Sequence, residues 1–246
     1  MTTLALGALI VITLAALAGV NIINQRQQQL KQLARRREQL SLGLENLEEG
    51  LEACLQTVEN TATCCELARE KCALLKALLD TEHPPSNKLV QARLDKAETE
   101  LQQLSSGLIE RRLDRLCHSD TEIKVQQAKL ANALRFIHKR QTREQLTIDQ
   151  ALEHSNQIEW ARLMISVLSM VGAGYLAREN DQQISAFNYF RKAQELLQAS
   201  QHPDPRRLAL IRELSELMQQ PGMHLSEEYF PEYTPEENAQ NIEQIL

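Results

Sequence analysis

Aromatic residues make up only 4% of this 246-residue chain, glycine occurs eight times and proline seven, and no run of β-branched residues with a period of two is present. That shortage of strand and turn formers excludes a sandwich or barrel, and the wealth of Leu, Ala, Gln, Glu, Lys and Arg selects helix. The scattered glycines build no G-x-x-x-x-G-K loop, so the usual cradle for nucleotide phosphates is absent. No Glu-x-x-His pair occurs, which excludes the ligand pattern of di-iron bundles; Asp80 and His83 come nearest, abutting Pro84 and Pro85. Surplus basic charge is missing too. The net charge is -6, and the six acids Glu227, Glu228, Glu232, Glu236, Glu237 and Glu243, with no Lys or Arg among residues 221–246, account for all of it. A chain that is otherwise neutral lacks the cations that release counterions from nucleic acid, so no nucleic-acid partner is expected.

Five cysteines, an odd number, give no complete disulfide framework and fit free thiols in a reducing cytoplasm. Cys54, Cys65 and Cys72 share one stripe of a predicted helix, whereas a metal site needs ligands converging on a point. They read as small hydrophobes in a packed face, with Cys64 pointing elsewhere, and no metal or cofactor is expected. Cys117 and His118 are a nucleophile and a base by type, but adjacent helical side chains diverge by about 100° and no third group orients them. No catalytic residue is assigned, and the chain is not expected to be an enzyme.

What the chain does have begins with an uncharged stretch over residues 4–23, long enough at ~1.5 Å per residue to cross the ~30 Å hydrocarbon core of a bilayer. Arg26, Lys31, Arg35, Arg36 and Arg37 follow before the first acid, Glu38. Basic residues beside a span stay on the cytoplasmic side, so the expected topology is single-pass, N-terminus out, with the bulk of the chain in the cytoplasm. No Lys or Arg precedes the stretch, so the basic n-region of a secretory signal is missing and an uncleaved anchor is expected.

A heptad series comes next: Leu30, Leu33, Arg37, Leu40, Leu44, Leu47, Leu51, Cys54, Val58, Thr61, Cys65, Ala68, Cys72, Leu75 and Leu79 alternate spacings of three and four. One long apolar-faced helix over residues 26–82 is the prediction, ended by Pro84 and Pro85. A second series, Val90, Leu94, Ala97, Leu101, Leu104 and Leu108, predicts a helix over residues 87–117. Folded back, it sets Leu75 against Leu94, Cys72 against Ala97, Ala68 against Leu101 and Cys65 against Leu104. Large side chains meet small ones in that register, which favours an intramolecular antiparallel coiled-coil hairpin over a parallel dimer.

Ser119 with Glu122, and Thr147 with Gln150, have the capping-box spacing, and further helices are predicted over residues 120–144, 148–179, 183–200 and 204–219. The apolar stretch over residues 163–177 is bracketed by Arg162 and Arg178 and is too short to span; it reads as a buried core helix. Arg135, Lys139, Arg140 and Arg143, grouped around Phe136 and Ile137, are expected to return to the membrane surface beside Arg26 and to hold anionic lipid, each worth about 1 kcal/mol there.

Gly172, Tyr175, Ala186, Phe190 and Ala193 stand where the tetratricopeptide repeat places its small residue and Tyr on a first helix and Ala-x3-Phe-x2-Ala on a second. Residues 164–200 thus resemble one such helix pair, with two extra residues between Tyr175 and Ala186 and Gln198 in place of the usual proline. The resemblance implies a protein-binding groove, with Tyr175, Phe190 and Arg191 as contacts. In the tail, Tyr229, Phe230 and Tyr233 alternate with acids as in a docking peptide; the alternative is that Tyr229 and Phe230 fold back onto the chain's own helices.

The sequence therefore reads as an all-α protein in four parts: a transmembrane anchor over residues 1–24, a coiled-coil hairpin over 25–145, a helical, repeat-like bundle over 146–220 and an acidic flexible tail over 221–246. The expected role is a scaffold that recruits a protein partner to a bacterial inner membrane. The alternatives are a homo-oligomeric coiled-coil spacer and a lipid-surface regulator acting through the basic residues.

Overall fold

The computed structural model describes residues 2–81, 87–108, 111–220 and 223–230, with side chains from Asn24 onward. Among the described residues there are seven helices and no strand: α1 (Thr2–Thr57), α2 (Thr61–Leu79), α3 (Asn87–Ser105), α4 (Asp120–Thr142), α5 (Ile148–Glu179), α6 (Gln183–Ala199) and α7 (Arg206–Gln219). The all-α expectation holds. Residues 4–23 lie within α1, and their side chains fall outside the described set, as does the proline turn at residues 82–86.

The sequence predicts one unbroken helix from residue 26 to 82, and here the fold differs. Val58, Glu59 and Asn60 interrupt it, and α2 turns back along α1, bringing Lys71 within 3.5 Å of Glu48. Two polar devices stabilise the break. The Asn60 side chain accepts from the Ala62 N–H at 2.8 Å and caps α2. The Arg111 guanidinium donates to the carbonyls of Val58 at 3.0 Å and Glu59 at 2.7 Å and to the Thr61 hydroxyl at 2.9 Å. A cation at a helix C-terminus satisfies open carbonyls and complements the dipole, so the break costs little. The heptad spacing continues across it and gives no warning.

α2 is consequently the centre of the first core, packed against α1 on one side and α3 on the other. It buries two stripes: Cys65, Ala68, Cys72 and Leu75, and also Cys64, Leu67, Leu74 and Leu78. Cys64, read from the sequence as pointing away, is fully buried on the second stripe. Along α3, Leu94, Ala97 and Leu104 are buried and Lys76 pairs with Glu98 at 2.8 Å, so the antiparallel arrangement of these two segments stands. α3 stops at Ser105 rather than continuing to 117. Gly107 takes φ +70°, the Leu108 N–H returns to the Gln103 carbonyl and the Gly107 N–H to that of Leu104, which is the Schellman closure of a helix. The chain then runs without helical structure from Arg111 to His118, laying Arg111 and Arg115 beside the α1–α2 break.

The caps read from the sequence are in place. Ser119 accepts from the Glu122 N–H, while the Glu122 carboxylate accepts from the His118 N–H at 2.7 Å. Thr147 and Gln150 form a complete capping box at the start of α5. α5 is the one helix among the described residues long and apolar enough to cross a membrane, yet it is buried inside the protein: Ile158, Ile165, Val167, Leu168 and Val171 are fully buried. Its first half joins α1–α4 in one core, and its second half joins α6, α7 and residues 225–230 in another.

Gly43 lies inside α1 with open space where a Cβ would stand. Gly43→Ala is therefore expected to raise the unfolding free energy by about 0.5–1 kcal/mol through helix propensity alone. Denaturant titration checks it; an unchanged midpoint would mean that this part of α1 is not helical in solution.

Candidate protein-interaction site

α5 and α6 pack antiparallel with Gly174 facing the ring of Phe190; a Cβ at Gly174 would overlap that ring, so a glycine is the condition for this close approach. Ala186, Phe190, Ala193 and Leu197 form the buried stripe of α6, and Tyr175 meets Phe190 edge-on with ring centroids 5.5 Å apart.

The tail does not leave this unit open. Residues 223–230 fold back over it, and Phe230, 2% exposed, stacks against Tyr175 at 6.1 Å and 16°. The Leu225 N–H donates to the Tyr175 hydroxyl at 2.7 Å, Arg178 donates to the Met223 carbonyl at 3.0 Å, and Glu213 accepts from the Ser226 N–H at 3.1 Å. Arg115 donates to the Tyr229 carbonyl at 3.3 Å, tying the tail to the segment beside the α1–α2 break. Burial pushes the Tyr175 phenol up to about 12, so it stays protonated.

These contacts correct three expected partner contacts. Tyr175, Phe190 and Phe230 are buried against one another, since aromatic area is better covered by the chain's own rings than by water. Tyr229 is half-buried with its backbone in use, and Tyr233 lies outside the described residues. Arg191 stays on the outer face of α6, in an exposed pair with Glu195, near the exposed Ile184 and Phe187.

The basic residues divide likewise. Arg140 is not at a surface: it is buried and donates to Glu66 at 3.0 Å and Glu70 at 3.4 Å. Arg143 joins it, 3.0 Å from Glu70, whose side chain is fully buried, and Arg69 also pairs with Glu66. α4 therefore runs along α1, with Ala133 against Gly50 and Lys129 3.6 Å from Glu52, and its C-terminal end meets α2, where Arg143 pairs with Glu70 rather than returning to Arg26. Arg135 and Lys139 remain exposed, Arg135 donating to Asn132 and Lys139 lying 5.6 Å from the Phe136 ring centre. On α1, Arg26, Lys31, Arg35, Arg36 and Arg37 are all exposed.

Sequence reading missed the polar hub joining the two cores. Glu59, in the α1–α2 break, accepts from Arg115 at 3.1 Å and Arg206 at 2.6 Å, while Arg206 also grips Asp204 at 2.8 Å and lies 4.9 Å from the Trp160 ring centre. Its members come from distant parts of the chain, and no periodicity marks them. Also missed was His154 of α5, whose Nδ1 lies 3.0 Å from the Thr63 hydroxyl in a buried contact. Burial lowers its pKa from the ordinary 6.5, opposed by Glu66 and Glu153 and assisted by Arg140 and Arg69. The neutral form is favoured on folding, so its contribution to stability is complete above about pH 6.5 and is lost as the pH falls toward the lowered value. The urea midpoint should fall more between pH 7.5 and 5.5 for the wild type than for His154→Gln; parallel curves would remove His154 as the cause.

All five cysteines are free, and burial raises the Cys54, Cys64, Cys65, Cys72 and Cys117 thiols, Cys64 to about 11. Among the described residues no three His, Cys, Asp or Glu side chains converge as metal ligands. A surface groove of about 450 Å³ between α4, α5 and the α6–α7 loop offers Gln127, Ser166 and His202, with Glu159 already paired to Arg162 at 3.0 Å. Comparison with protein-family models, with curated proteins and with solved structures gives no match.

Proposed function

We propose that this chain is a membrane-anchored scaffold that recruits a protein partner to the cytoplasmic face of a bacterial inner membrane. The observation that carries the reading is the continuity of α1. One helix includes the uncharged residues 4–23, the basic flank and the leucines Leu44 and Leu47 of the first core. With residues 4–23 in the bilayer, residues 24–39 form an exposed stalk that holds the folded body about 24 Å from the membrane, at ~1.5 Å per residue. Positive flanking charge sets the N-terminus outside, and five free thiols suit the reducing side.

A body of helices with its rings and residues 223–230 packed inward offers partners its outer faces. The edge-on contact of Tyr175 and Phe190 between α5 and α6 supports a tetratricopeptide-like, protein-binding reading, although the glycine against Phe190 is Gly174 while Gly172 faces Leu116; Arg191 is on the accessible side. The coiled-coil spacer draws on a different observation: Leu30 and Leu33 are 59% and 41% exposed at heptad spacing. The exposed Arg135 and Lys139 similarly serve the lipid-surface reading.

Protease treatment of spheroplasts tests the anchored topology. The carboxyl end should be protected until the membrane is permeabilised, and the chain should resist carbonate extraction. A carboxyl end digested in intact spheroplasts, or a chain washed off by carbonate, overturns it.

A further inference from the structure

We infer that the slot filled by residues 223–230 is a peptide-recognition site, in which the chain's own tail takes the place of a segment of another protein. The site deepens the recruiting role proposed above and rests on that reading. α6 packs against both α5 and α7, yet no Cα of α5 comes within 8 Å of one in α7. An opening is left between the two helices. The tail fills it, with Leu225 and Phe230 in one core with Tyr175 of α5 and Leu210 and Leu214 of α7.

Side chains around the opening grip the tail by its backbone. Arg178 of α5 donates to the Met223 carbonyl, the Tyr175 hydroxyl accepts from the Leu225 N–H, Glu213 of α7 accepts from the Ser226 N–H, and Arg115 donates to the Tyr229 carbonyl. Such groups are common to all peptides, so these bonds fix the course of a bound segment and leave its sequence open. Sequence enters at the buried Leu225 and Phe230, and at the Ser226 hydroxyl, 3.2 Å from the Glu213 carboxylate. His224, Glu227 and Glu228 are exposed. The Tyr229 and Phe230 N–H groups both donate to the Ser226 carbonyl, a single turn that returns the Phe230 ring to Tyr175. The occupant that fits is a short segment with a leucine-sized residue, a serine or threonine directly after it, and a phenylalanine where Phe230 now sits.

Tethering decides between another protein and a second copy of this chain. The tail follows α7 closely, which gives it an effective concentration on the order of millimolar at the slot. A second copy brings the identical segment without that advantage, so exchanged tails lose to the intrachain one. A segment of another protein wins by making contacts that the tail lacks. The tail then acts as a filter, because the apparent affinity of any ligand is its intrinsic affinity reduced by the fraction of chains whose slot is open. Two buried apolar side chains in eight residues are a hold that such a competitor can match.

The test uses the full chain in mild detergent and a labelled peptide with the sequence of residues 223–230, followed by fluorescence anisotropy. The peptide should bind Phe230→Ala at least about tenfold tighter than the wild type, whose intact tail competes for the slot. A peptide with alanine in place of its phenylalanine should bind that variant at least about tenfold more weakly, and adding Tyr175→Ala to the chain should weaken the parent peptide by a similar factor. Leu225→Ala loosens the other anchor and should behave as Phe230→Ala does, with circular dichroism reporting the fold of each. In the wild type, where no variant has to fold, excess peptide should speed deuterium exchange at the Leu225 N–H by trapping the open slot. Equal binding to wild type and variants, indifference to the peptide's phenylalanine, exchange unmoved by peptide, or wild-type dimers crosslinked through exchanged tails would overturn the proposal. These readouts are indifferent to membrane topology, so their failure leaves the anchored scaffold standing, and failure of the spheroplast and carbonate tests leaves the slot standing.

Discussion

Arg140→Met should lower the unfolding free energy by about 3–5 kcal/mol, toward the lower end because two neighbouring cations, Arg143 and Arg69, remain. The substitution keeps the length and the apolar stem of the side chain but removes the guanidinium that lies between Glu66 and Glu70. Glu70 is fully buried and retains only Arg143, while Glu66 keeps the half-exposed Arg69. Two carboxylates would then sit in low dielectric with half of their compensation gone. For a folded body of this size each kcal/mol moves the melting temperature by about 2–4 °C, so a fall of about 6–15 °C is expected by circular dichroism of the full chain in mild detergent. Adding Glu66→Gln and Glu70→Gln to Arg140→Met should restore most of the loss, because unpaired charge is the damage. A fall below about 2 °C, or no recovery in the triple variant, would show that water reaches the cluster and that α2 and α4 are not joined through it.

That cluster also shows where sequence reading ran out. Arg140 sits in a basic group on α4, and its partners are more than 65 residues earlier on α2. Charge counting along one helix sees a cationic face; only the meeting of the C-terminal end of α4 with α2 turns half of it inward. Local signals fared better. The boxes at Ser119 and Thr147 depend on side chains three residues apart, and the starts of α4 and α5 follow from them. The burial of α5 was readable from the charges bracketing a short apolar run. The break at residues 58–60 was not, since its stabilising partner Arg111 arrives from about 50 residues later while the heptad spacing passes through unchanged. Gly107 carried a signal for the end of α3 that the leucine series outweighed. In the candidate site, Tyr175, Phe190 and Phe230 were legible as important, and for Phe230 the fold-back onto the chain's own helices stood as the alternative to docking and is the arrangement found. An aromatic in an acidic tail reads equally as bait for a partner and as a plug for its own domain, and the choice rests on tertiary contacts such as the Tyr175–Leu225 hydrogen bond.

Phe230→Ala decides how firmly that plug is held, and it should release residues 223–230 from the second core at a cost of about 3–5 kcal/mol, the range for deleting a buried phenyl group. The ring is the last described anchor of the tail, stacked on Tyr175, and removing it leaves the hydrogen bonds of Met223, Leu225, Ser226 and Tyr229 to hold an eight-residue segment against its own entropy. Because the segment can detach without the helices unfolding, most of the effect belongs to a local opening and less of it to the global melt. At ~1.4 kcal/mol per factor of ten, the open population should rise at least about 100-fold, and cleavage by a low concentration of protease within the tail should accelerate in proportion. Tyr175→Phe, which keeps the stack and loses only the bond from the Leu225 N–H, should accelerate it by about tenfold or less, in line with ~1 kcal/mol for a single hydrogen bond. If Phe230→Ala changes the cleavage rate less than threefold, the tail is already detached in solution. Tyr175 and Phe190 would then be accessible after all, and the partner-binding surface would move from the outer face of α6 back to the groove these rings line.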